Sequence, residues 1–164
     1  IGAGQFTEQG VAPQLAQPPM GIAAQAAKAA LADTGCATKL VAQLDTIAVI
    51  RIFPDSYKNP RVPSPFGRAE NPPRAVARRI GANPERAIYG QVGGNTPQKM
   101  INEMAERISS GEVGIALLTG SEAINTAQLA MRSVIILDSV FYTHLRAHQT
   151  GRYHVFRLLL VKKK

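Results

Sequence analysis

Few residues in this 164-residue chain are of a type that does chemistry, and most stand without partners. Cys36 is the single cysteine; it follows a Gly35 helix stop, and no histidine precedes His144 to activate it. A bystander thiol is the simpler reading. His144 and His148, at i and i+4, could place two imidazoles on one helix face for a metal, but no Cys, Asp or Glu accompanies them after Val140. Two ligands make a poor site, so no metal is expected. Glu122, in Gly120-Ser121-Glu122, is a candidate base, or more simply an acid that braces a loop or caps the next helix. Arg74, Arg78 and Arg79 could hold phosphates or form a solvated helix face.

The run Gly93-Gly94-Asn95-Thr96 is the remaining candidate. Paired glycines let backbone N–H groups approach a ligand, and a helix start favours negative charge. The competing reading is a plain tight turn. The following Pro97-Gln98-Lys99 lacks the Gly-Lys-Ser/Thr of a phosphate-binding loop, and Gly2-Ala3-Gly4 lacks the third-glycine spacing of a dinucleotide fingerprint.

These residues need elements to hold them. Residues 1–6 read as a strand already in progress. Residues 20–33 read as an alanine-rich helix with Ile22, Ala26, Ala29 and Ala30 on one stripe, ended by Gly35. One or two helical turns are expected over 39–43. The β-branched run 46–53 reads as a strand buried on both faces and stopped by Pro54. A long Pro-bearing loop over 55–71 precedes a helix over 72–80 opened by two prolines. A short strand over 87–91, a helix over 96–109 with Met100, Ile101, Met104 and Ile108 inward, a buried strand over 113–119 and a helix over 123–131 complete the body. Strands alternating with helices predict an α/β sheet with helices on both faces.

The apolar fraction of 45% is that of a globular protein. No apolar run approaches the roughly 20 residues of a membrane span, and no signal peptide opens the chain, so a soluble, cytoplasmic protein is expected. Of the 19 basic residues, six lie in 140–164, leaving 13 against 11 acids in 1–139. A nearly neutral body gives a nucleic-acid partner no support.

Four segments, in order, carry a resemblance. They are IGAGQF at the start, ALADTG at 30–35, FGRAENPPRAVARRIGANP at 66–84 and ISSGEVGIALLTGSEA at 108–123. Together with the strand–turn–helix between them, they resemble the thiolase superfamily, more closely its acetyl-CoA acetyltransferase-like branch, over residues 1–132. The resemblance implies a partial, incomplete first half of a thiolase-like fold, with a mixed sheet. It implies acyltransfer on acyl-CoA thioesters, coenzyme A thioester as substrate rather than any bound cofactor, and, in the full-length form, a homodimer along the strand at 87–91. In that family a cysteine stands where the turn enters the helix, and a thiolate there takes the acyl group. Here Gly94 fills that place, so no catalytic residue is expected in this chain. Gly93, Gly94, Asn95 and Thr96 become a possible thioester-binding loop, and Gly120, Ser121 and Glu122 a structural elbow. The alternative is a non-catalytic acyl-CoA-binding or scaffolding subunit.

Residues 133–164 change character. FYTHLRAHQTGRYHVFRLLLVKKK resembles translated sequencing-adapter and poly-A read-through, and this stretch reads as a non-native tail. The body is expected to be a fragment, inactive alone.

Overall fold

The computed structural model describes residues 1–56 and 64–132, and the backbone of 160–162. The expected tail therefore lies, apart from those three residues, outside the described residues, as do His144 and His148.

Among the described residues there are five α-helices on a sheet whose first three strands are parallel. The helices are α1 (Pro19–Asp33), α2 (Ala37–Gln43), α3 (Pro72–Ile80), α4 (Thr96–Ser109) and α5 (Ile124–Arg132). The strands are β1 (Thr46–Val49), β2 (Arg86–Tyr89), β3 (Ile115–Thr119) and β4 (Leu160–Lys162). Sheet order is β2-β1-β3-β4, with β4 antiparallel to β3. The α/β sheet with helices on both faces is thus present.

Strand alternation sorts the core. Ile47, Val49, Ile115 and Leu117 point to one face, where α1 and α3 pack. Ala48, Ile50 and Leu118 point to the other, where Met100 of α4 covers them. Met104 and Ile108 continue that layer over Val113 and Ala116. Fully burying side chains such as Ile47, Leu117 and Val76 stabilises the fold by roughly 1.5–3 kcal/mol each.

Helix ends follow from local chemistry. Asn71 caps α3 by accepting the Arg74 N–H at 3.1 Å, Pro72 and Pro73 occupy the positions that need no donor, and left-handed Gly81 closes the helix. Arg74 is then committed: it donates to Pro84 O, to Glu85 O at 2.9 Å and to Asn83 Oδ1 at 3.4 Å, tying the end of the α3–β2 connection back to the helix start.

Three expectations are corrected. Residues 1–6 form no strand. They run against α1, where a Cβ on Gly2 would lie 2.2 Å from Ala30 O and one on Gly4 2.2 Å from Ala30 N; with β1 paired on both sides, its edges offer no place for them. The inward stripe of α1 also differs, because the helix is buried over a broad arc. Met20, Ala23, Ala24, Ala26, Ala27, Ala30 and Leu31 are buried, while Ala29 is exposed and Ile22 half-buried. Finally, the strands are shorter than the apolar runs that suggest them. β1 ends at Val49 because its register partners end at Tyr89 and Thr119. Ile50 then makes one bond to Thr119 O at 2.8 Å before a 3₁₀ turn over Phe53–Ser56. β2 starts at Arg86 and stops at Tyr89, and β3 starts at Ile115.

Candidate functional site

The parallel strands end together, and the segments leaving them meet there. In open α/β sheets this is the end at which ligands bind. After β2 comes the turn 90–95 and the start of α4; after β3, the elbow; after β1, residues 50–56.

The turn is built around Gly90. A Cβ there would lie 2.7 Å from Met100 Sδ and 3.1 Å from Thr96 Cγ2, so a side chain between strand end and helix would force Met100 to shift. Thr96 is buried, and its hydroxyl donates to Gln91 O at 3.0 Å. It braces the turn and is not presented to a ligand. Gly93 has φ 155°, and a Cβ on it would meet Asn95 Oδ1 at 2.9 Å. Gly94, by contrast, faces open space: a Cβ there would have no neighbour within 4 Å. Gln91, Val92, Gly93, Gly94 and Asn95 are all exposed.

The helix start is less generous with donors than the sequence suggests. Thr96 N–H goes to Gly93 O at 3.0 Å and Lys99 N–H to Asn95 O at 3.0 Å, while Pro97 has none. That leaves the Gln98 N–H as the backbone donor of the first turn. Beyond it, an open cleft of about 480 Å³ runs along the outer face of α4 between Asn95, Gln98, Lys99, Asn102, Glu103 and Glu106.

The elbow does bracing work. Ser121 Oγ, buried, donates to Pro19 O, and Thr119 Oγ1 donates to Ala23 O at 3.1 Å, so both hydroxyls pin the strand end to α1. Glu122 Oε1 accepts the Phe53 N–H, which holds the segment after β1. Burial chiefly, with Asp55 adding, pushes the Glu122 carboxyl from its ordinary 4.5 up to about 7, against the lowering effect of the Phe53 amide. Of the two simpler roles expected for Glu122, the loop brace is the one observed.

A neighbouring cluster was not visible in the sequence. Tyr89 OH donates to Asp55 Oδ2 at 2.6 Å and accepts from Ile52 N at 3.2 Å. Burial first, then the Asp55 bond, raises the Tyr89 pKa, so the phenol stays a donor. The Arg51 guanidinium lies 4.5 Å above the Tyr89 ring and donates to Gly90 O at 2.9 Å. Tyr89 and Asp55 are 34 positions apart in the sequence, and nothing in either local pattern announces the pairing.

The other candidates fall away from this end. Arg74 is spent on the carbonyls of its own loop, and Arg78 and Arg79 sit in the last turn of α3, at the opposite end of the sheet. Cys36, exposed, precedes α2, with its thiol 3.6 Å from Thr34 Oγ1. Among the described residues no group of three or more His, Cys, Asp or Glu could hold a metal, and no helix is long and apolar enough to cross a membrane.

Two solved structures resemble this arrangement. A monomeric SCP2-thiolase-like protein type 1 from Mycobacterium smegmatis aligns with 72% of this chain at 34% identity and TM-score 0.56, and the chain covers 22% of it. An acetyl-CoA acetyltransferase from Syntrophomonas wolfei aligns with 72% of the chain at 15% identity and TM-score 0.54, and the chain covers 27% of it. The chain thus spans roughly a quarter of the length of either. No protein-family model and no curated protein matches it.

Proposed function

Because this chain is thiolase-like in fold, we propose that it is part of an acetyl-CoA acetyltransferase-like protein of the cytoplasm that handles acyl-CoA thioesters, and that it cannot by itself carry an acyl group. The observation that carries this reading is the strand–turn–helix of β2 and α4, opening at the C-terminal end of the sheet, with Gly94 facing free space. A thioester carbonyl docked there would meet the Gln98 N–H and the partial positive charge of the helix start. No side chain of the turn can displace coenzyme A: Gly94 offers no atom, and the Thr96 hydroxyl is occupied with Gln91 O.

The absence of a nucleophile at Gly94 equally favours a second reading, a binding or scaffolding subunit that keeps the fold without the chemistry. Both readings place the thioester at the same turn. Titrating the chain with acetyl-CoA while following amide resonances tests them together. Shifts at Gly93, Gly94, Asn95 and Gln98, absent with coenzyme A alone, are the expected result; an unmoved turn at millimolar ligand refutes both. Release of free coenzyme A from acetyl-CoA or acetoacetyl-CoA in step with enzyme concentration would refute the claim that the chain is inert.

The same reading includes, for the full-length protein, a homodimer formed along β2, an edge strand of the sheet. The M. smegmatis relative is described as monomeric. Light scattering on the full-length protein decides between the two: a concentration-independent monomer mass refutes pairing along β2.

A further inference from the structure

We propose that Glu122, with Asp55 beside it, makes the contact between the elbow and the Phe53–Ser56 turn a pH-sensitive clasp across the C-terminal ends of the strands. The inference does not depend on the thioester reading.

The geometry supplies the device. Glu122 Oε1 accepts the amide of Phe53, joining segments 69 positions apart. Its second oxygen, Oε2, is buried and has no hydrogen-bond partner among the described residues. An ionised carboxylate in that place has given up water at one oxygen without replacement, whereas the neutral acid loses far less. A second tether runs beside the first: the Tyr89 hydroxyl accepts from Ile52 N and donates to Asp55.

Among the described residues, the charged groups near this clasp do not neutralise Glu122. From the turn after β1 comes Asp55, another acid, which disfavours ionisation. From the following loop comes Arg68, which is occupied with Asp55 Oδ1 at 3.7 Å and Pro54 O at 3.2 Å. From the end of β1 comes Arg51, whose donors go to Gly90 O and Asp55 O. From β2 comes the neutral Tyr89. The first turn of α1, pinned to the elbow by Ser121, contributes no charged side chain, and the first turn of α5 has no acid.

The direction follows. With the clasp closed, the carboxyl holds its proton to about pH 7; released into water, it ionises near 4.5. The open form therefore binds fewer protons across that interval, and the closed form loses ground as pH rises through it. Between about pH 6 and about pH 8.5 the closed-to-open ratio therefore falls by about tenfold at most, partial exposure reducing the change.

Hydrogen exchange at the Phe53 amide of the full chain tests this. Protection, corrected for intrinsic exchange and referenced to the Ala48 amide, is compared at about pH 6 and about pH 8.5. The wild type should lose up to about tenfold at the higher pH. Glu122→Gln, which keeps the accepting oxygen, should show no such loss. Tyr89→Phe should lower protection at both pH values and leave their ratio unchanged. A flat wild-type profile overturns the proposal, as does wild-type pH dependence persisting in Glu122→Gln or vanishing in Tyr89→Phe.

Discussion

Placing a thiol at position 94 puts a number on what the helix start can do. In a Cys36→Ser background, Gly94→Cys should fold without penalty. Gly94 is not among the positive-φ glycines and its Cβ direction is open. Replacing a glycine whose conformation suits other residues stabilises by roughly 0.4–1 kcal/mol through the unfolded chain. The thiol should be only modestly activated. With Pro97 donating nothing and the Thr96 and Lys99 amides internally paired, one backbone donor remains. A charge at such a helix start gains about 0.3–1 kcal/mol, which converts to a pKa roughly 0.2–0.7 units below the free-cysteine value. Alkylation by iodoacetamide across about pH 6–10 should then titrate near pH 8 and run about two to four times faster at pH 7 than an unperturbed thiol. A pKa at or above about 8.5 would show that the helix start offers no stabilisation. A value below about 7 would show that the donor count is wrong. A melting temperature lowered by more than about 4 °C would refute the open-space argument.

Two further outcomes follow from the same region. Gly90→Ala drives a methyl into Met100 Sδ and Thr96 Cγ2 and should cost about 1–3 kcal/mol in urea denaturation, with a near-neutral result sinking the close-packing account of the turn. Because the Glu122 carboxyl is raised in the fold, its stabilising contribution is complete below its unfolded pKa near 4.5 and lost by the time pH passes about 7. Between about pH 5 and pH 8 the wild type should therefore lose about 1–2 kcal/mol more than Glu122→Gln, the figure being reduced for partial exposure. Parallel profiles for the two proteins would contradict that sign.

Periodicity and end signals carried the helices well. Pro72 and Pro73 with Gly81 bounded α3, and Met100, Met104 and Ile108 fell inward at helical spacing in α4. Strand limits were harder, because a ladder ends where its neighbours end, and the largely apolar stretch from Ile50 to Phe53, broken by Arg51, says nothing of Tyr89 or Thr119. Glycines misled in one place and informed in another. The opening Gly2 and Gly4 accompany close approach to α1, not a strand, whereas the pair at 93–94 does mark the turn it suggests. At the site, what escaped prediction is the partner wherever that partner is a backbone group, even where the role, as for the Glu122 brace, was expected. Glu122 answers to the Phe53 amide, Arg74 to the carbonyls of Pro84 and Glu85, and Thr96 to that of Gln91. Side-chain type alone cannot name a main-chain partner, whether 5 positions away as for Thr96 or 69 as for Glu122.

The opposite end of the sheet is closed by one residue. Asp45 Oδ2 accepts the N–H groups of Gly114 and Ile115 at 2.8 and 3.0 Å, its own N–H reaches Ile115 O at 3.3 Å, and its carbonyl receives Arg86 N at 2.9 Å. A one-residue slip of β3 would carry Ile115 and Leu117 to the wrong face, and it would also strip two amides from this carboxylate. Asp45 thus works as an indexing pin: both flanking strands are gauged from the same residue at the foot of β1. Whatever varies among the turns at the far end, the alignment of the strands beneath them is set here.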